Sequence, residues 1–595
     1  SLILLIIIII LELLYTTYMF VYEKEGTHSD ELWSYGLANS YYQPHIYLKP
    51  DVFIDDATIG DYDHYNEWST GKTYNDYLTV QEGEGFSYKS VYSNQSLDHH
   101  PPLYYALLTT ISSFFPNQFS YFFAYSISVF SLIITQIFMY KTLKLLLKSR
   151  YLPLICSIFY GFGLGALNTH IFMRQYFLLT ALCTMFTYFN VKFFTSDNLK
   201  LKSSLPGIVI CAFLAFFTQY TIITYIGIFT ACMCIYLLCK KKIKKMFIYG
   251  GSILGALILF GVLYPAGIKQ IFGYSVISDV TLPVRTQTKM LINSATTALF
   301  GFQKSAFDNA NLQIIISVLL VAAILIAPIC YLLRKETYFI KFKSTLKKGL
   351  LKFVAILKRF NLTIVFMAVS TLAFYIVLAI TVDVLKMGSA SQRYVFVSFP
   401  IICIVFVYLI DFILGLIPKI KAFKGLISLV IVVVFLVNVN VRYDSIFLYK
   451  QPKGYEPLEE VLADKNCLLI LPSQGDYWTL TCYTAHFRNS DQIYNTARDD
   501  LNYAIDEINK SDKKINYVLI NLQNIASSES ELKEAIENFK SNEGMGIQNP
   551  ENLFNQYEFL DEYLEKLETL NGGCTAEQEF TTIIQGARVA VIKLF

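Results

Sequence analysis

Apolar runs of about 20 residues, each long enough to cross the hydrocarbon core of a bilayer, recur down the first three-quarters of this chain. They fall at roughly 2–22, 118–140, 151–170, 175–194, 206–220, 221–239, 246–265, 312–333, 362–381, 394–414 and 425–443. The fifth and sixth form one apolar stretch, divided at Gln219-Tyr220-Thr221 because the charge pattern then alternates. Only 16% of the 595 residues are charged, against about 25% in an ordinary soluble protein. The fold expected is a polytopic α-helical membrane protein of about eleven spans. The first run starts at Leu2 with neither a basic start nor a small-residue cleavage site, so it is expected to stay as an anchor.

Basic clusters fall at every second connection: "KTLKLLLKSR" (141–150), "VKFFTSDNLKLK" (191–202), "KKKIKK" (240–245), the stretch 334–359 and "PKIKAFK" (418–424). The positive-inside rule makes these cytoplasmic. They set orientation, and no nucleic-acid partner is expected. The remaining connections, 23–117, 170–174, 266–311 and 382–393, and everything after 443, are then extracytoplasmic. All seven histidines fall outside, five of them in the first loop. The abundance of Ile, Lys and Asn suits a low-GC bacterium, so the membrane expected is a bacterial plasma membrane.

The first loop opens with "THSDELWSYGLANSYY" (27–42), which puts Asp30 and Glu31 just after the first span. Such acids either cap a short interfacial helix, since carboxylates favour helix N-termini, or serve chemistry at the membrane surface. The loop closes on "DHHPPLYY" (98–105): Pro101 and Pro102 stop regular structure, and a short apolar helix follows, ended by Pro116. Tyr104 and Tyr105 suit the headgroup layer. The acidic insert at 46–97 has no evident place.

After 447 the pattern changes. "CLLILP" (467–472), "QIYNT" (492–496), "YVLIN" (517–521) and "RVAVIKLF" (588–595) read as strands. "DDLNYAIDEIN" (499–509) and "SELKEAIENF" (530–539) read as helices, the second with Ser530 as N-cap. Residues 447–595 are therefore expected to form a small external α/β domain, with 1–446 as the membrane domain that includes the 23–117 loop. No Gly-rich phosphate loop or nucleophile elbow occurs in it, which favours a capping or acceptor-docking module. Its Cys467, Cys482 and Cys574 leave a disulfide open. No CxxC spacing exists, so structural zinc is not expected.

Four strings carry a resemblance: Asp30-Glu31 after the first span, "HPPLYY" (100–105), "RYVFVSFP" (393–400) and the weaker "RQYFLL" (174–179). On these the membrane region resembles membrane glycosyltransferases of the GT-C class. It is most similar to bacterial relatives of dolichyl-phosphate-mannose protein mannosyltransferases and of lipid A aminoarabinose transferases. The insert at 46–97 departs from that pattern. The resemblance implies transfer of a sugar from a polyprenyl-phosphate donor to an envelope acceptor (glycan, lipid or protein) on the extracytoplasmic face, with inversion. One carboxylate suffices as base, because the leaving phosphate needs charge stabilisation rather than a protonating acid.

Asp30 is the implied base and Glu31 the second candidate. Arg174 and Arg393, at external ends of spans, are implied to hold the donor phosphate, with Arg285 and Lys289 as further candidates. The bland reading of each arginine is an interfacial snorkel. Asp98, His99, His100, Tyr104, Tyr105 and Tyr394 are expected to line the site, His100 as an orienter or ligand. If a divalent metal such as Mg or Mn binds, Asp30, Glu31, Asp98 and His100 are its expected ligands. The mid-span Glu12 reads as a polar contact within the bundle, to Gln136 or Gln219. Two other classes remain: a ligase or polymerase using a lipid-linked oligosaccharide, and a transporter, against which no inverted repeat is visible.

Overall fold

The computed structural model describes residues 2–24, 26–273, 282–302, 360–384, 388–416, 423–448, 458–523, 525–526, 558–584 and 587–595. The expected span 312–333, the basic stretch 334–359, residues 418–422 and the helix at 530–539 lie outside them. The chain divides into two units, one of Ser1–Thr17 with Ser128–Leu448, the other of Tyr18–Ile127 with Tyr449–Phe595.

In the first unit, helices pass the length and hydropathy of a membrane span where the sequence placed them. Among the described residues of the whole chain there are eight, and a ninth if the bent pair Leu152–Gly161 and Leu164–Ile171, angled by 59°, is one span. The expected span at 206–220 is a shorter helix, Leu205–Phe216. Its 12 residues rise about 18 Å, well short of the roughly 30 Å of a bilayer core. Glu12 is buried and its Oε2 accepts from Gln136 Nε2 at 2.7 Å, so the mid-span acid makes the expected bundle contact. Gly161 makes room for it, because a Cβ there would come within 2.6 Å of the Glu12 carboxyl.

Hydrogen bonds tie together the connections that alternate in charge. Lys245 Nζ donates to the carbonyls of Asn198 (2.5 Å) and Leu199 (2.8 Å), joining two basic connections. Asn168 Nδ2 donates to Gln392 Oε1 (2.9 Å) and to the Ile446 carbonyl (2.8 Å). The Val384 N–H donates to Gln287 Oε1 at 2.7 Å. The segments around 168, 287, 384, 392 and 446, all assigned to the other side by charge, therefore meet at one end of this unit.

The second unit centres on a six-stranded sheet. Its strands are β1 (Trp68–Thr70), β2 (Cys467–Leu471), β3 (Gln492–Ala497), β4 (Tyr517–Asn521), β5 (Ala576–Ile584) and β6 (Ala587–Leu594), in spatial order β1-β3-β2-β4-β6-β5. The central β3, β2 and β4 run parallel. Every residue of β2 and β4 is buried, which is why "CLLIL" and "YVLIN" are near-continuous apolar runs. Leu501, Ile505 and Ile508 of the Leu501–Lys510 helix pack onto Leu468, Ile470, Val518 and Ile520. Each such side chain contributes about 1.5–3 kcal/mol on burial.

The four expected strands are present. Two further strands of this sheet were not anticipated: β5, whose first half is a run of exposed polar residues as suits an edge strand, and β1. β1 comes from the unplaced insert and pairs antiparallel with β3, Trp68 opposite Tyr494. The insert thus belongs to the C-terminal sheet, and Asn66 and Tyr65 both bond Asp500. This corrects the expected domain division: the first loop was placed with the membrane domain, but its strand and helices pack with residues 449–595. No disulfide links the C-terminal cysteines; Cys467 is buried with its thiol toward Ser490 and Lys465.

Candidate functional site

In the second unit the loop acids sit on the helix Ser29–Asn39. His28 is extended just before it, and its Nδ1 accepts the Asp30 N–H at 3.2 Å. Glu31 Oε2 reaches back to accept the His28 N–H at 2.8 Å. This is a reciprocal capping box, with the carboxylates at the favourable end of the helix dipole. The Asp30 carboxylate lies 3.8 Å from His28 Nδ1.

The other Glu31 oxygen is bonded to Lys24, and the Glu31 side chain is fully buried. Burial pulls the Lys24 ammonium below the usual lysine range, while Glu31 pulls it back up. Glu31 is therefore engaged on both oxygens. Asp30, next to it on the same helix, has 12% of its side chain exposed.

The two ends of the first loop come together. The Leu103–Ser112 helix packs on Ser29–Asn39. Thr109 Oγ1 donates to the Ala38 carbonyl, and Asn94 Nδ2 to the Ser40 carbonyl at 3.0 Å. Tyr104 and Tyr105, expected at headgroup level, are instead buried within this unit, their rings edge to face at 5.5 Å. Helical spacing turns both toward the protein rather than outward, since the helix has Ser29–Asn39 to pack against.

His100 Nδ1 lies 2.6 Å from Asp98 Oδ2, and His99 Nε2 lies 3.0 Å from Asp55 Oδ1. Burial pushes the Asp98 carboxyl up, but the imidazoles of His100, His45 and His99 outweigh it and hold the acid well below the usual carboxylate range. Asp98 therefore orients His100 as a fixed acceptor. Among the described residues no three His, Cys, Asp or Glu side chains gather where a metal ion could sit. Glu31 is bonded to Lys24 and Asp98 to His100.

In the first unit Arg174 precedes the Tyr176–Thr195 helix, and Arg393 lies in the 3₁₀ run Gly388–Ser398. The two elements pack: the Tyr176 ring meets Tyr394 edge to face at 6.2 Å and Phe396 at 6.3 Å. Arg393 lies over the Tyr394 ring at 5.3 Å. Arg174 and Arg393 are 4% and 8% exposed, so neither is a snorkelling surface cation. Arg285 is exposed, on the helix Val284–Phe300; Lys289 follows one turn on.

Sequence reasoning missed Lys24, His28, Asp55 and Tyr176. The His28–Glu31 spacing, a polar residue followed three later by Glu, was a readable cap signal. Asp55 and Tyr176 are marked only by tertiary contact.

No family model and no curated protein sequence matches this chain. Among solved structures it aligns with ArnT from Cupriavidus metallidurans bound to undecaprenyl phosphate. That alignment covers 95% of this chain and 96% of that one, at 9% identity and TM-score 0.42. With ArnT from the same organism in the apo state it aligns over 98% of this chain and 97% of that one, at 9% identity and TM-score 0.45. Fold and site define a class: a multi-pass helical membrane protein with an α/β unit that its own first loop completes. Its helical unit carries two buried arginines on packed segments at one end.

Proposed function

We propose that this protein is a glycosyltransferase that moves a sugar from a polyprenyl-phosphate donor to an acceptor of the cell envelope on the extracytoplasmic face of a bacterial plasma membrane, with inversion. The observation that carries this reading is the pair Arg174 and Arg393, buried on packed elements at the end of the helical unit where the non-basic connections meet. The planar fork of a guanidinium matches phosphate oxygens, and such bidentate bonds are strong where water is excluded. Asp30 takes the proton of the acceptor hydroxyl as that oxygen attacks C1. The C1–O bond to phosphate breaks, the phosphate keeps the electron pair, and the arginines stabilise its charge. Glu31 and Lys24 fix the helix end that presents Asp30.

The test is incubation of the purified, reconstituted chain with labelled polyprenyl-phosphate sugars and an envelope extract. A new glycosidic product that needs Asp30 supports the reading. Donor movement across the bilayer without any product removes it.

A further inference from the structure

Two of the chain's three tryptophans meet. Trp33 lies on the Ser29–Asn39 helix and Trp478 on the segment Gln474–Tyr483, which packs against it. Their rings stack with centroids 6.0 Å apart and planes 22° from parallel. Trp33 also meets the rings of His45 (6.0 Å, edge to face) and Tyr47 (6.3 Å), both buried. Trp478 is 41% exposed. A rigid, layered backing thus holds one open indole.

The indole that Trp478 stacks on shares a helix with the acid. Trp33 follows Asp30 by three residues and so shares its helix face, one turn on. Cys482, four residues after Trp478, feels the Asp30 charge. The surroundings are acidic: Asp476 bears on Tyr62, and Asp63 and Glu67 bear on Tyr477. Such a field disfavours a phosphate headgroup or nucleic acid and accepts a neutral, hydroxyl-rich ligand. A pyranose presents one face of C–H groups to an aromatic ring and a rim of hydroxyls to carboxylates.

We infer that Trp478, backed by Trp33, is the stacking platform for a sugar ring of the acceptor, which makes the acceptor a glycan. Its place beside the reaction rests on the transferase reading; its sugar binding does not.

Calorimetric titration of the full chain in detergent with maltotriose, cellotriose and N-acetylchitotriose tests it. At least one should bind saturably, and Trp478→Ala should weaken its Kd about tenfold while Trp478→Phe keeps most of it. Binding of none, an unchanged Kd in Trp478→Ala, or tighter engagement of phosphatidylglycerol vesicles through Trp478 overturns the platform. In the transfer assay Trp478→Ala should raise the acceptor KM and leave kcat and the donor KM unchanged. If Asp30→Asn abolishes transfer but Trp478→Ala leaves the acceptor KM alone, the platform fails and the transferase reading stands. If the sugars bind through Trp478 and no transfer occurs, the transferase reading fails and the platform stands.

Discussion

Lys24 and Glu31 form an ion pair in which both side chains are out of water, at 2% and 0% exposure. Removing one partner leaves a buried charge without its counterpart, which costs about 3–5 kcal/mol, whereas replacing both with apolar residues is close to neutral. Glu31→Gln and Lys24→Met should therefore each lower the melting temperature in detergent. Lys24→Met with Glu31→Leu should recover most of it. A double variant as unstable as the singles would show that the pair is not the unit of stability.

Asp30 and Glu31 are neighbours in sequence with different work. Asp30→Asn keeps the helix cap, because the cap uses the Asp30 N–H and not its carboxylate. It should fold normally and lose sugar transfer by about a hundredfold or more, the range of a general base. Transfer near the wild-type rate would take the base role from Asp30.

Arg174→Ala and Arg393→Ala should weaken binding of a polyprenyl-phosphate sugar, and Lys replacements should restore little, because a point charge does not reproduce the guanidinium fork. Donor affinity measured for the four variants decides this. Rescue by Lys at both positions would mean that net charge, not phosphate geometry, is what counts.

Burial lowers the His486 imidazole to about 4 from the ordinary value near 6.5. The unfolded chain therefore binds this proton more readily than the folded one between those values. Stability from keeping His486 neutral is complete above about pH 6.5 and is lost as pH falls towards 4, by about 3 kcal/mol in all. His486→Gln should flatten that part of the pH–melting curve, read between pH 7 and 4. An unchanged slope would assign the acid sensitivity elsewhere.

Gly36 faces the Tyr77 ring so closely that a Cβ would lie 1.9 Å from it. Gly36→Ala must displace Tyr77, whose hydroxyl donates to the Pro44 carbonyl at 3.2 Å. Overpacking of this kind costs about 1–3 kcal/mol. A melting temperature within a degree of wild type would show that the helix can shift to absorb it.

Spans and central strands were legible because their burial leaves a local mark: apolar runs of bilayer length, and short apolar runs in β2 and β4. The alternation of Lys clusters also carried real information, since the connections it groups are the ones that hydrogen bonds join at Lys245 and Asn168. What stayed hidden is what depends on a distant partner. Three residues, Trp68–Thr70, make a strand only because β3 lies beside them. Tyr104 and Tyr105 read as headgroup tyrosines because composition does not reveal the helix that covers them. The acids after the first span admitted two readings, cap or chemistry, and the cap is seen in Glu31, which accepts the His28 N–H.

The sheet that Trp68–Thr70 joins also imposes an order of assembly. Its partner strand begins at Gln492, beyond the last described membrane helix, Lys424–Val441. The ribosome therefore delivers the first loop long before the surface it folds onto. That loop must wait as an unfinished piece, with an unpaired strand and exposed aromatic rings, while every membrane helix is made and inserted. A chain stopped before Gln492 has no partner for that strand at all, so the first loop completes its fold only after the unit it belongs to has been made.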